Sequence, residues 1–232
     1  MTRAQRMMLL VGVLPLLALL AAGATGTVAA IRGKLTYNYS SSFAAGPEGV
    51  QITTSDVSTQ VLASADDKVH VTVDGSYAAQ QPDVRAGLSG RMLVVQTSCP
   101  DINCSVNLTV EVPTGTAAIK AKVEGSSIDV DGVSAPMTVS VKDGSFDGAR
   151  IRSPQTSVDA ERGSVGLFFD APPDSVHATA ISGSITVQLP RSTTYKIDAV
   201  AAQGSTDLAV PNDMTATHQV HLRTSYGSIT VQ

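Results

Sequence analysis

The chain has 232 residues and a formal net charge of -4 at pH 7; charged residues make up 16%, aromatic residues 4%, and tryptophan is absent. Sixteen Lys and Arg residues are scattered along the sequence, so the basic surplus that phosphate neutralisation requires is missing and nucleic-acid binding is excluded. The length and the abundance of Gly, Ser, Thr and Val favour one all-β domain of short strands separated by turns.

The N-terminal segment predicts export. Arg3 and Arg6 precede an uncharged run over residues 7–31, which as a helix would be roughly 37 Å long and could cross the ~30 Å hydrocarbon core of a bilayer. Residues 1–34 are therefore predicted to form a short cytoplasmic tail and a transmembrane anchor. Residues 35–232 are predicted to form an extracytoplasmic domain of a single-pass membrane protein.

A cleaved signal peptide is the alternative for the same segment. An apolar core from Leu9 to Leu20 is followed by Ala22, Gly23 and Ala24, which resemble a small-residue cleavage site. The apolar character continues through residues 27–31, which favours the anchor. Both interpretations export the remainder of the chain, either attached to the membrane or secreted.

Residues 35–112 contain strand-like runs without a clear repeat and are interpreted as early, divergent coils of the stack predicted below. The only two cysteines, Cys99 and Cys104, flank the four residues "PDIN". In an exported chain this pair predicts a disulfide that closes a tight loop. Two unpaired thiols remain the alternative, and a zinc site is disfavoured because no third ligand lies nearby.

The dipeptide Gly-Ser recurs in the second half of the chain with steps of 19 to 23 residues, and each copy joins two alternating segments. The predicted repeat joints are Gly125, Gly144, Gly163, Gly183, Gly204 and Gly227. Positions two and four residues after each glycine are mainly apolar, as are positions three, five and seven before it, so each strand has one inward face. The first unit fits this phase only if Ser126 takes the place of its glycine.

A repeat of two strands per ~20 residues, with small aliphatic residues inside, predicts a β-solenoid in which equivalent strands stack; a β-sandwich is the alternative. The phrase "GSITVQ" stands at residues 183–188 and again at 227–232. Because two repeat lengths separate these copies, they are predicted to lie two rungs apart, with the final copy as the last rung.

Several of these phrases resemble a family of bacterial exported proteins of unknown function, the putative adhesins. The similar stretches are "NLTVEVPTGTAAIKAKVEGSSIDVDG", the glycine joints, and the phrase formed by Leu189, Pro190, Tyr195 and Ile197. The resemblance extends over roughly residues 48–232. It implies a β-helix-like fold at the cell envelope, commonly behind an N-terminal membrane segment, and it brings no catalytic residues.

No catalytic, cofactor or metal site is predicted. His218 and His221 lie three apart in a strand-like segment and should face opposite ways, which prevents joint chelation. The acidic turns at residues 129–133 and 142–148 lack the ligand spacing of a calcium loop, and no nucleophile elbow is present.

A non-catalytic cell-envelope protein is therefore the predicted function, with the repeat domain serving adhesion, scaffolding or partner binding. An ectodomain that senses envelope stress is one alternative. A carbohydrate-active β-helix enzyme is another, disfavoured because the aspartates are dispersed over corners and outward positions. The predicted partners are the membrane and an envelope protein or surface ligand.

Overall fold

A computed structural model describes residues 34–232, and every regular element in this range is a β-strand. The first seven strands are β1 (Leu35–Ala44), β2 (Val50–Ser55), β3 (Ser58–Ala63), β4 (Lys68–Tyr77), β5 (Asp83–Ser89), β6 (Met92–Ser98) and β7 (Ser105–Val112). The next six are β8 (Ile119–Glu124), β9 (Ile128–Asp131), β10 (Met137–Lys142), β11 (Phe146–Ile151), β12 (Gln155–Arg162) and β13 (Val165–Phe169). The last six are β14 (Ser175–Ser182), β15 (Ile185–Gln188), β16 (Tyr195–Gln203), β17 (Thr206–Leu208), β18 (His218–Tyr226) and β19 (Ile229–Val231).

Within residues 34–232 no helix is long and apolar enough to cross a membrane. The predicted anchor over residues 7–31, and the cleavage site that is its alternative, lie outside the described residues.

The strands form two sheets, one of ten strands and one of nine. Their orders are β1-β4-β7-β3-β9-β11-β13-β15-β19-β17 and β16-β18-β14-β12-β10-β8-β2-β6-β5. From β8 onwards, consecutive strands alternate between the two sheets, and neighbours within each sheet run parallel. The protein is therefore all-β with one strand of each repeat in each sheet, a layout that also fits the two-layer sandwich alternative.

One hydrophobic core contains buried residues from both sheets. The residues predicted to face inward do so. Val139 pairs with Val158, Val158 pairs with Ala178, and all three side chains are buried. Alternate residues of β8 and β10 are buried and exposed in turn, as a strand with one covered face requires. Each fully buried valine or leucine contributes on the order of 1.5–3 kcal/mol to the free energy of unfolding relative to an exposed one. The inward residues stacked from strand to strand are therefore the main stabilising feature.

The predicted position of the two "GSITVQ" copies is wrong. Ile185 of β15 pairs directly with Ile229 of β19, so the copies occupy adjacent rungs rather than rungs two apart. The chain's final unit, β18 and β19, is inserted between β14–β15 and β16–β17, and the outermost rung is therefore β16–β17.

The side chains of the two units explain this order. The inserted unit directs Val220, Leu222, Ile229 and Val231 inward, and all four are buried because rungs lie on both sides of them. At some of the matching inward positions the outermost unit has a smaller or more polar residue, Ala199 beside Leu222 and Thr206 beside Ile229, whereas Tyr195 and Ile197 at the start of β16 are large and buried. Leaving the smaller side chains at the edge keeps more apolar surface away from water.

The free edge of β16 is partly covered by the loop before β18. The side-chain amide of Asn212 donates to the carbonyl oxygen of Ile197 and accepts from its N–H, both at 2.9 Å. The N–H of Asp213 donates to the Tyr195 carbonyl at 2.9 Å. Such pairing satisfies backbone groups that an edge strand otherwise leaves open.

The prediction of further coils in residues 35–112 is right only in part. The β2–β3 and β6–β7 pairs continue the parallel stack, with β2 next to β8 and β3 next to β9. Strands β4 and β5 instead run antiparallel to β7 and β6, and β1 lies outside β4. The short turn between Ser89 and Met92 lets β5 fold back on β6, whereas β4 pairs with β7 across the intervening β5 and β6.

Candidate functional site

The glycine joints form one column along a single corner of the stack. A Cβ atom on any of them would meet the backbone of the neighbouring rung. In spatial order these residues are Gly144, Gly163, Gly183, Gly227 and Gly204. The rungs approach each other so closely here that only a residue without a Cβ fits, which is the physical reason for the repeated glycine.

Gly125 is not the joint of the first unit, and Ser126 takes that place. Ile128 pairs with Phe146, which sets Ser126 level with Gly144, and the Ser126 carbonyl lies where a Gly144 side chain would be. Gly125 has a φ of 74° and lies against the carboxylate of Asp56 in the corner between β2 and β3. The phase of the strands, rather than the dipeptide itself, identifies the joint.

The serines that follow the joints form a ladder beside the glycine column. The hydroxyl of Ser127 accepts the N–H of Ser145 at 3.1 Å, and the Ser145 hydroxyl accepts the N–H of Ser164 at 3.2 Å. The same bond joins Ser184 to Ser228 at 3.2 Å. Serine therefore stabilises the contact between rungs at a corner where the backbone ladder is interrupted.

The disulfide loop lies at the same corner, between β6 and β7. Cys99 and Cys104 are joined by a disulfide, with their Cα atoms 5.6 Å apart. The carboxylate of Asp101 accepts the N–H groups of Asn103 at 3.2 Å and of Ala79 at 3.3 Å, and the side chain of Ile102 is 98% exposed. This ordered, apolar tip was missed by sequence reasoning, although an aspartate two residues before an asparagine is a recognisable turn signal.

Ion pairs join neighbouring rungs on the outer surfaces. Lys142 donates to Glu124 at 2.8 Å, Arg162 pairs with Asp143, and Arg223 pairs with Asp198. The hydrogen bonds from these cations lower the pKa of Glu124 and Asp143, each from its ordinary value. Pairs this exposed contribute little to stability, and within residues 142–148 they engage the carboxylate of Asp143.

The histidines are placed as the strand phase predicts. His218 lies on the inward side of β18, where its ring packs 5.8 Å from that of Tyr195 and its Nδ1 lies 2.7 Å from the Pro173 carbonyl. His221 faces outward and pairs in register with His177 of β14. Among residues 34–232 no group of three metal-ligating side chains is close enough to hold an ion.

Outward residues of the nine-stranded sheet line up in register across the rungs. Lys120, Thr138, Ser157 and His177 form one such row, and they line a shallow depression of about 210 Å³. A surface of this kind presents a regular polar pattern along the stack. It can bind an extended partner through many small contacts.

Asp129 and Asp147 oppose each other directly on β9 and β11. Partial burial, followed by the charge of Asp147, raises the pKa of the Asp129 carboxyl. A carboxyl whose pKa is raised by folding destabilises the fold at pH values above that pKa, and the penalty disappears as the pH falls below the unfolded value of ~3.9.

The variant Asp129→Asn is therefore expected to have a higher melting temperature than the parent at pH 7 and an equal one near pH 3. Asp143→Asn is the matched control with opposite sign. The pKa of Asp143 is lowered by its hydrogen bond from Arg162, so this variant should have a slightly lower melting temperature than the parent at pH 7, and the difference should vanish as the pH falls below ~3.9. Thermal melts of the three proteins across pH 3–8 measure both differences; an Asp129→Asn gain that persists undiminished at pH 3 contradicts the charge argument.

Comparison with known proteins identifies the fold. No protein-family model and no curated protein matches the chain. A solved structure of a "putative cell adhesion protein" from Clostridium sporogenes is similar over 85% of this chain and 99% of its own, with a TM-score of 0.51 and 12% identity. A "putative adhesin" from Bacteroides fragilis matches over 84% and 97%, with a TM-score of 0.46 and 14% identity. At this identity the first likeness shows a shared all-β fold.

Proposed function

We propose that the chain is a non-catalytic protein of the bacterial cell envelope whose repeat domain binds a surface ligand or an envelope protein. Residues 1–34 supply the cytoplasmic tail and membrane anchor, and residues 35–232 form an extracytoplasmic β-solenoid. The alternation of strands between two parallel sheets supports the solenoid. The uncharged run over residues 7–31 supports the anchor.

The observation that carries the binding role is the registered polar row on the nine-stranded sheet. Its residues are held in line by the rungs and include Thr138, Ser157 and His177. A backbone fixed in this way needs no ordering on binding, which favours recognition of an extended partner. The fold shared with a structure that carries a cell-adhesion name points the same way.

Anchoring and adhesion are tested separately on cells that express the full chain. Membranes are first washed with alkaline carbonate; an anchored chain stays in the pellet, and Leu17→Arg, which places a charge in the apolar run, should release it or prevent insertion. Intact cells and spheroplasts are then treated with protease. Recovery of the parent chain in the cytosol contradicts the envelope location.

Adhesion is measured as retention of expressing cells on immobilised cell-wall and host-matrix surfaces. Ser157→Arg inserts a bulky charge into the polar row. It should reduce retention several-fold, because such a charge can repel the partner and disturb the fit between the two surfaces. Thr186→Arg, on the outward side of β15 in the other sheet, is the matched control and should retain the parent level. Equal retention by all variants and by cells without the protein contradicts adhesion, and cleavage of cell-wall glycan by the chain contradicts the non-catalytic role.

A further inference from the structure

The disulfide loop, residues 99–104, displays an apolar side chain on a rigid support. Ile102 at its tip is 98% exposed. The loop is closed by the disulfide, by the Cys104 N–H donating to the Asp101 carbonyl at 2.9 Å, and by the two bonds to the Asp101 carboxylate. Because these four restraints hold the backbone of the loop, the loop loses little entropy when an apolar environment receives its tip.

The loop lies at the corner where the described chain begins. The rings of Tyr37 and Tyr77 pack edge to face with centroids 6.3 Å apart, and Ser42 bonds His70 at 2.8 Å, so β1 starts beside the end of β4. Two residues after Tyr77, the N–H of Ala79 reaches Asp101 in the loop.

A second set of neighbours gives the same placement. Asp83 pairs with Ser98, the residue immediately before the loop. Burial raises the pKa of the Tyr37 hydroxyl, and the nearby charges of Tyr39 and Asp83 raise it further, which sets the start of β1 beside the start of β5. The first strand and the loop therefore share one corner of the stack.

From this juxtaposition we infer that the disulfide loop is a second membrane contact, with Ile102 inserted at the boundary between lipid headgroups and acyl chains. The inference rests on the proposed anchor. The uncharged run ends at Ile31, and the six residues from there to Tyr37 span at most ~20 Å. A chain held by the proposed anchor would therefore keep the start of β1, and with it this corner, within reach of the lipid surface.

The chemistry of the tip fits a lipid surface. Apolar side chains of interfacial elements settle ~5–10 Å into the headgroup and acyl boundary. The one carboxylate of the loop, Asp101, accepts two backbone N–H groups, and Asp83, which lies beside the loop, pairs with Arg85 at 2.7 Å. The carboxylate on the turn of Ile102 is therefore held by hydrogen bonds to the backbone.

The absence of tryptophan in the chain allows a direct test with a single introduced reporter. The full chain carrying Ile102→Trp is reconstituted into vesicles of phosphatidylethanolamine and phosphatidylglycerol whose acyl chains are brominated or plain. Leu88→Trp is the matched control, since Leu88 is also exposed and lies on β5 near its other end. We expect emission from the Ile102→Trp chain to be at least about two-fold lower with brominated lipid, because the reporter lies ~5–10 Å below the headgroup surface, and emission from the Leu88→Trp chain to be unchanged.

Flotation of the same vesicles separates the two proposals. If both chains float and the Ile102→Trp chain is not quenched, or both reporters are quenched equally, the loop contact is overturned while the anchor stands. If neither chain floats after a carbonate wash, the anchor fails and the loop contact fails with it. A blue-shifted emission from the Ile102→Trp chain without bromine quenching points to a second copy or another protein at the tip, and it also overturns the lipid contact.

Discussion

Replacing Gly163 with alanine is expected to lower the free energy of unfolding by about 2–6 kcal/mol, a large part of the stability of an ordinary domain. The added Cβ would lie 2.5 Å from the Gly144 carbonyl carbon and closer still to its oxygen. Both atoms belong to the backbone of the preceding rung and cannot rotate away. The φ of Gly163 is 139°, a conformation that adds its own strain for any residue with a side chain.

Urea unfolding of the full chain in mild detergent, followed by far-ultraviolet circular dichroism, measures this loss. Gly115→Ala is the matched control, because a Cβ there has nothing within 4 Å and its φ lies outside the left-handed range. The free energy of unfolding of Gly115→Ala should equal that of the parent within about 0.5 kcal/mol. Equal midpoints for Gly163→Ala and Gly115→Ala would contradict the close approach of the rungs at the corner.

Replacing Tyr195 with alanine is expected to lower the free energy of unfolding by about 3–5 kcal/mol, as large-to-small changes at buried aromatic sites do. The Tyr195 side chain is fully buried, which also raises the pKa of its hydroxyl, and the ring packs against His218 at the inward start of β18. Its hydroxyl donates to the Pro190 carbonyl at 2.9 Å. The ring thus fills the core at the outermost rung and ties down the turn that leads into it.

The variant Tyr195→Phe separates packing from the hydrogen bond. It keeps the ring and leaves the Pro190 carbonyl without this donor, so it should lower the free energy of unfolding by only about 1 kcal/mol. Tyr226→Ala removes an exposed ring from the end of β18 and should change stability by less than about 0.5 kcal/mol. The same urea titrations rank the three variants, and a Tyr195→Phe loss as large as that of Tyr195→Ala contradicts the packing argument.

The Tyr195 geometry also explains a phrase on which the family resemblance rests. Leu189 and Ile197 are buried on either side of the turn, and Pro190 provides the acceptor for the tyrosine hydroxyl. The spacing of these four residues is that of a strand end, a turn and a new strand entry. Local packing at this turn therefore accounts for the phrase.

Much of the repeat architecture was predictable because its causes are local. Strand phase follows from alternation with a period of two, and this phase alone predicts Ser126 in the glycine position, in agreement with the pairing of Ile128 with Phe146. The cysteine loop was predictable for the same reason, since six residues with a proline and an aspartate can turn tightly on their own. The membrane contact proposed for Ile102 was not, because it depends on β1 and β7 meeting at one corner through β4.

The amino-acid sequence by itself determined the all-β class, the two strands per repeat, the inward residues of each strand and the glycine corner, because backbone sterics and side-chain alternation act within a few residues. The tertiary structure alone decided the order of the rungs. Strands β15 and β19 share the letters ITV, so the strand pattern alone did not decide which units became neighbours. In the structure β19 lies inside with Ile229 and Val231 buried, and the exposed strand β17 (Thr206–Leu208) forms the edge, an order in which the more apolar strand is kept away from water.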